Sequence, residues 1–251
     1  LAAIDCVIKM LNPGDEIIST NDLYGGSYRI FNTIFAKYGL IFHFVDMQDP
    51  TAVEALVNAN TKLIWVETPT NPMMNIIDIK AMAAIAHKAN AMLCVDNTFA
   101  TPYLQQPFAL GADFVFHSAT KFLNGHGSAL NGVLLGKDLE FMNTKVWKWH
   151  VLLGGNSNAF DAYLLIQGMK TLEIRMERHC SNAAKVAQFL DKHAAIEKVN
   201  YTGLTTHPNH AIASKQMKQH APLISFELKG GIEAGKKFLD ALEVCTRAVS
   251  L

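Results

Sequence analysis

The sequence predicts an α/β fold: three layers, with a mostly parallel sheet held between helices. Three observations predict it. Short apolar, β-rich runs alternate with helical patterns, the connections between them are short, and the chemically loaded turns follow strands rather than helices. The chain opens in a helical pattern, Leu1 to Leu11, ended by the Asn12-Pro13-Gly14 turn. Glu16 to Ser19 then reads as a strand, Ser27 to Tyr38 as a helix closed by Gly39, and Leu40 to Val45 as a strand. A helix over Ala52 to Asn58, a strand over Lys62 to Val66 and an alanine-rich helix over Ile79 to Ala89 follow. Ala91 to Val95, Phe114 to Phe116 and Val133 to Leu135 complete the strands. Ala159 to Lys192 is helical throughout, with Leu164, Leu165, Met169, Leu172, Met176, Ala183 and Ala184 spaced as on buried faces.

Near residue 195 the pattern changes. Ile196 to Asn200 begins a smaller unit, with loops at Thr202-Gly203-Leu204 and His207-Pro208, a strand over Leu223 to Leu228 and a helix over Ile232 to Leu242. The expectation is a large domain over 1–195 and part of a smaller α+β domain over 196–251. Both ends read as cut. The first helix has no capping residue before it, and the apolar Ala248-Val249-Ser250-Leu251 has no terminator, so a piece of a longer protein is expected.

Composition removes several function classes. Half of the 251 residues are hydrophobic and 18% are charged, enough to build a core and too apolar for disorder. Lys+Arg and Asp+Glu both number 22, so no net field favours nucleic acid or an anionic membrane. No apolar run approaches the roughly 18–20 residues of a membrane span, and Leu1 to Leu11 lacks the parts of a signal peptide. Cys6, Cys94, Cys180 and Cys245 are widely spaced and form no CxxC pair. They read as reduced thiols of a cytoplasmic protein. His126, His150, His207 and His210 match no zinc spacing, so no metal is expected. A nucleotide-binding α/β protein is disfavoured, because no GxGxxG or GxxxxGK[ST] follows a strand and Gly154-Gly155 lies outside a strand–helix turn.

The chemistry concentrates at the carboxyl ends of strands, where open parallel sheets bind ligands. Tyr24-Gly25-Gly26, Glu67 to Pro72, Asp96-Asn97-Thr98 and Ser118-Ala119-Thr120-Lys121 all fall there. Asp96 directly follows Met92-Leu93-Cys94-Val95, and Lys121 closely follows Phe114-Val115-Phe116. An amine and a carboxylate beside apolar strands are costly to bury without a covalent or ionic role. Together with two hydroxyls they suit pyridoxal 5'-phosphate, which needs an amine for its aldehyde, an anion for its ring nitrogen and donors for its phosphate. A helix cap or salt bridge is the plain alternative for Asp96, core packing for Tyr24 and turn formation for Asn71.

The chain resembles the cysteine/methionine-metabolism group of fold-type I pyridoxal phosphate enzymes. The motifs are Tyr24-Gly25-Gly26-Ser27, Glu67-Thr68-Pro69-Thr70-Asn71-Pro72, Val95-Asp96-Asn97-Thr98, Ser118-Ala119-Thr120-Lys121 with Gly125-His126, and Lys170-Thr171-Leu172 to His179-Cys180. The resemblance implies that Lys121 bonds the cofactor aldehyde and shuttles protons, while Asp96 pairs with the ring nitrogen. Ser118 and Thr120 would donate to the phosphate. Tyr24 would stack on the ring and act as base or leaving-group acid. Asn71 would reach the cofactor's phenolic oxygen or the substrate carboxylate, Thr98 would orient Asp96, and Ser250 would orient the lysine and the substrate. The implied substrate is a small sulfur amino acid, and the implied assembly is a homo-oligomer built as a dimer of dimers.

Some of the family's pattern is absent. Of its phosphate-binding turn, which presents backbone N–H groups at a helix start, only Leu1 is present. Its arginine for the substrate carboxylate would lie beyond Leu251, and the segment that carries a tyrosine and an arginine into a neighbouring subunit's site would lie before Leu1. The complete protein is expected to be an enzyme, and this stretch alone is not. A non-catalytic fragment that keeps the fold as an assembly partner is the competing class. Within the enzyme group, Tyr24-Gly25-Gly26 lacks the cysteine typical of methionine γ-lyases. Val249 stands where many cystathionine enzymes carry glutamate, and Gly125-His126-Gly127-Ser128 departs from their common Gly-His-Ser-Asp. The expected reaction is γ-carbon chemistry of the cystathionine γ-synthase/γ-lyase kind, with methionine γ-lyase or a homoserine-ester sulfhydrylase as the alternative.

Overall fold

Strand and helix alternate through the first half of the chain, as the patterning requires. In order come α1 (Ala2–Ile8), β1 (Glu16–Thr20), α2 (Gly25–Thr33), a 3-10 turn (Phe35–Tyr38), β2 (Ile41–Val45), α3 (Pro50–Glu54), β3 (Thr61–Glu67), α4 (Ile79–Lys88) and β4 (Met92–Asp96). Then follow α5 (Thr101–Leu104), a second 3-10 turn (Pro107–Leu110), β5 (Phe114–Ser118) and β6 (Gly132–Gly136). The rest is mainly helical: α6 (Leu139–Phe141), a π segment (Met142–Val146), α7 (Trp147–Leu153), α8 (Ala159–Met169) and α9 (Leu172–Asp191), then β7 (Ile196–Asn200), α10 (His210–Gln216), β8 (Ser225–Leu228) and α11 (Gly231–Asp240). The computed structural model describes residues 1–248.

Among the described residues the main sheet has six strands in the order β2-β1-β3-β4-β5-β6. The first five are parallel and β6 is antiparallel to β5. Side-chain alternation sorts the strands onto two cores. Ile17, Leu63, Trp65, Cys94, Phe114 and Phe116 face α1 and α2, where Ile4, Val7, Ile8 and Phe31 cover them. Ile18, Ile64, Val66, Leu93, Val95 and Val115 face the other way, onto Ile79, Met82 and Ala86 of α4. Both faces are therefore apolar, which is why the strands read as continuous hydrophobic runs.

Caps set several helix starts. Asp49 accepts the N–H of Thr51 at 2.9 Å for α3, Asp78 that of Ala81 at 3.1 Å for α4, and Asn158 that of Asp161 at 2.8 Å for α8. The single helix expected over 159–192 is two helices. The Thr171 hydroxyl donates to the Gly168 carbonyl at 3.1 Å, and the N–H groups of Lys170 and Thr171 reach back only three residues, ending α8. The helical run over 139–153 has no counterpart in the sequence reading. Its apolar residues Leu139, Trp147 and Leu152 are exposed, so no clean buried stripe marks it. The helix α10 lies between the expected His207-Pro208 loop and the expected strand, where the sequence reading assigned no element.

β7 and β8 pair antiparallel as a separate two-stranded sheet. The segment between them returns to the large unit: Ala213 and Met217 pack with Leu104, Leu172 and Met176. Gln216 reinforces this contact, accepting the Ile79 N–H at 3.0 Å and donating to the Ile77 carbonyl at 3.1 Å.

Candidate active site

Parity along the strands places three polar residues on one face of the sheet. Glu67 continues the Leu63–Trp65 series, Asp96 follows Cys94, and Ser118 follows Phe114 and Phe116. Register then sets them side by side: Glu67 is opposite Asp96, and Asp96 is opposite Phe116. A cavity of about 1330 Å³ opens above them. Tyr24, Asn71, Asp96, Thr98, Ser118, Thr120 and Lys121, which the sequence singles out, all line it. Ser250 lies outside the described residues.

Asp96 is buried, and Thr98 holds it from the next turn. The Thr98 N–H and hydroxyl both donate to Oδ1, at 3.0 and 2.5 Å, while the same hydroxyl accepts the Ser118 N–H at 2.8 Å. Thr98 thus couples the ends of β4 and β5. Burial raises the Asp96 pKa from its ordinary 3.8 to about 6, against the lowering effect of the Thr98 donors.

Glu67 was quoted only as part of a motif and given no role, yet it stands at the centre of the site. Its Oε2 accepts the backbone N–H of Tyr24 at 2.9 Å. Burial raises its pKa well above the ordinary carboxylate value, and the Asp96 charge raises it further. Two buried carboxyls side by side therefore favour holding a proton. The signal that found Asp96, an acid directly after an apolar strand, also applies to Glu67 after Leu63-Ile64-Trp65-Val66.

Tyr24 sits at the entry to α2. A Cβ on Gly26 would fall 2.2 Å from its ring carbon Cε1, so the ring occupies the space that a side chain at 26 would need. The ring remains 44% exposed, toward the cavity. Asp22 ties the same segment to the turn that carries Asn71. Its Oδ2 accepts from the Thr70 hydroxyl, from the Met73 N–H at 3.1 Å and from the Asn75 amide at 3.4 Å.

Lys121 is partly buried, and desolvation lowers its pKa from the ordinary lysine value, which raises the share of the neutral, nucleophilic amine. Its backbone closes a tight turn: its N–H bonds the Ser118 carbonyl at 3.1 Å and its carbonyl accepts from Gly125 at 2.7 Å. Beside it, the Thr120 hydroxyl lies against the backbone of Asn131, accepting its N–H at 3.1 Å and 3.2 Å from its carbonyl. Asn131 also had no role in the sequence reading.

Arg175 of α9 anchors the loop that follows the lysine. Its guanidinium donates to the carbonyls of Phe122 and Gly168, both at 2.8 Å, and to the Thr171 hydroxyl at 3.0 Å. Gly168 itself lies against this loop: a Cβ there would come within 2.1 Å of the Asn124 carbonyl oxygen. Backbone cannot yield as a side-chain tip can. Gly168→Ala is therefore expected to destabilise the full-length protein by about 1–3 kcal/mol, read as a lower urea midpoint at unchanged slope.

The model of the Cys/Met metabolism PLP-dependent enzymes matches residues 1–251. The L-methionine gamma-lyase of Porphyromonas gingivalis is 47% identical over 239 residues, 95% of this chain and 60% of that protein. The cystathionine beta-lyase of Coxiella burnetii is 43% identical over 252 residues, 100% of this chain and 65% of its own length. The crystal structure of metB from Corynebacterium glutamicum superposes with a TM-score of 0.97 at 45% identity, covering 100% of this chain and 65% of that one. The chain thus spans 60 to 65% of the length of these relatives. With its sheet, its order of motifs and its full length matched, the chain belongs to the Cys/Met metabolism PLP-dependent enzyme family.

Proposed function

We propose that the full-length protein is a carbon–sulfur lyase or transferase that eliminates or replaces a group at the γ-carbon of a sulfur amino acid. The observation that carries this reading is a cavity in which a buried carboxyl (Asp96) and a partly buried amine (Lys121) share one sheet edge. That donor set fits pyridoxal phosphate. A buried carboxyl at the cavity wall suits a protonated ring nitrogen, and an amine of lowered pKa suits an aldehyde.

Asp96 would hold the ring nitrogen, Lys121 the aldehyde carbon, and Ser118 with Thr120 the phosphate. When bound, the cofactor withdraws electrons from the substrate's α-carbon and so makes carbanion chemistry accessible. The chain's own residues would do the rest. The Lys121 amine, once free, would move protons on the substrate. Tyr24, which lines the cavity, would stack on the cofactor ring and carries a hydroxyl able to serve as base or leaving-group acid. Asn71 orients the phenolic oxygen or the substrate carboxylate, and Thr98 keeps Asp96 aligned. Ser250 is retained as a substrate-orienting residue on resemblance alone.

The reaction most in keeping with the sequence is that of a cystathionine γ-synthase or γ-lyase. Val249 and the methionine γ-lyase names among the relatives support methionine γ-lyase as a second reading. The full-length protein is to be assayed on cystathionine, methionine and O-acyl homoserines. α-Ketobutyrate from cystathionine, or cystathionine from an O-acyl homoserine and cysteine, is the expected result. α-Ketobutyrate chiefly from methionine supports the second reading, and no product from any of them defeats both.

A cytoplasmic homo-oligomer completes the proposal. Cys6, Cys94 and Cys180 are buried free thiols. The helix α8 is largely apolar and leaves Phe160, Tyr163 and Ile166 exposed, as suits a face covered by another subunit. No helix among the described residues is long and apolar enough to cross a membrane.

A further inference from the structure

Two carboxyls tie the segment after β1 to the segment after β3, in opposite directions. Asp22, from the first, accepts from Thr70 and Met73 of the second. Glu67, the last residue of β3, accepts the Tyr24 N–H of the first at 2.9 Å, and the Asn71 N–H also points to its carboxyl. Glu67 is only 5% exposed, whereas the Tyr24 ring is 44% exposed. Apart from its contact with Gly26, the ring is held chiefly through the backbone to which it is attached.

We propose that Glu67 is a positioning residue that clamps the Tyr24 and Asn71 N–H groups and thereby sets where the Tyr24 hydroxyl and the Asn71 amide meet the substrate. This rests on the reading of Tyr24 and Asn71 as site residues given above. The clamp needs an acceptor and not a charge. A second anion beside Asp96 would be costly to bury, and the raised pKa of Glu67 agrees with a carboxyl that keeps its proton. Glutamine preserves a carbonyl acceptor at the same position. Methionine has similar bulk and no comparable acceptor, leaving two N–H groups unpartnered.

The test is a double-mutant cycle on the holoenzyme of the full-length protein, comparing wild type, Glu67→Gln, Glu67→Met, Tyr24→Phe and the Tyr24→Phe/Glu67→Met pair. Glu67→Gln is expected to keep kcat within about threefold, while Glu67→Met lowers it about 30-fold. In the Tyr24→Phe background the methionine substitution should cost only about threefold, since the hydroxyl it misplaces is already gone. An equal cost in both backgrounds would show a general structural role and overturn the proposal. So would a Glu67→Gln enzyme that loses kcat, an outcome readable even if Glu67→Met fails to fold. A Tyr24→Phe enzyme as fast as wild type would instead defeat the reading of Tyr24, and this inference with it.

Discussion

Lys121→Ala in the full-length protein is expected to abolish covalent retention of pyridoxal phosphate and to cut turnover by about 10³-fold or more. The amine is the one group in the turn able to bond an aldehyde, and its surroundings favour the neutral form that does so. Burial lowers its pKa, and a tight turn closed by Ser118, Gly125 and the Arg175 guanidinium fixes its backbone. Lys121→Arg separates charge from nucleophilicity, because it keeps a cation at 121 and has no amine free to bond carbon. Both variants should fold, since a partly exposed side chain is altered. Borohydride reduction followed by mass spectrometry reads the outcome: wild type carries the cofactor on the peptide containing Lys121, and neither variant does. Cofactor still attached in Lys121→Ala would place the covalent bond elsewhere and refute the assignment.

Asp96→Asn is expected to produce the second largest effect, a fall in kcat of about 10²–10³-fold, the range seen when one preorganised electrostatic group is removed from a site. The amide still accepts from Thr98, so geometry survives while the charge is lost. A pH signature accompanies it. In the unfolded chain Asp96 ionises near its ordinary 3.8, and in the folded, cofactor-free protein near 6. Between those values the folded state keeps a proton that the unfolded state releases. Stability therefore falls as pH rises through that window, by about 3 kcal/mol for a shift of this size. Glu67, raised by burial and by the Asp96 charge, acts in the same direction at higher pH. Urea denaturation of the cofactor-free protein at pH 4.5 and pH 7 should show the loss, and Asp96→Asn should show a smaller one. An equally steep dependence in the variant would mean that Asp96 is not the group that titrates.

Much of this site was legible before any fold was in view. Asp96 and Lys121 each follow an apolar strand, and an ionisable group in that position carries a desolvation cost that needs a reason. Thr98 was placed beside Asp96 by the resemblance, and its N–H and hydroxyl do reach back to that carboxylate. Glu67 carried the same signal and was passed over, since nothing local says that its carboxyl turns toward Tyr24. The break between α8 and α9 was missed for a similar reason. Both sides of Lys170-Thr171 have helical periodicity, and the stop depends on one hydroxyl bonding a carbonyl three residues back. The run over 139–153 was unread because Leu139, Trp147 and Leu152 are exposed and its buried residues form no continuous stripe.

The sequence by itself determined the α/β class, the strands, the cofactor and the residues at the strand ends. These depend on period-two and period-3.6 patterning and on the chemistry of single side chains, both of which are local. The tertiary structure alone decided which of those residues meet. Glu67 faces Asp96 because β3 and β4 pair in one register, and it holds Tyr24 across 43 residues of chain. Arg175 reaches the Phe122 carbonyl across 53. A buried N–H or carbonyl must find a partner, but which distant group supplies it is settled only when the strands choose their register and the helices pack.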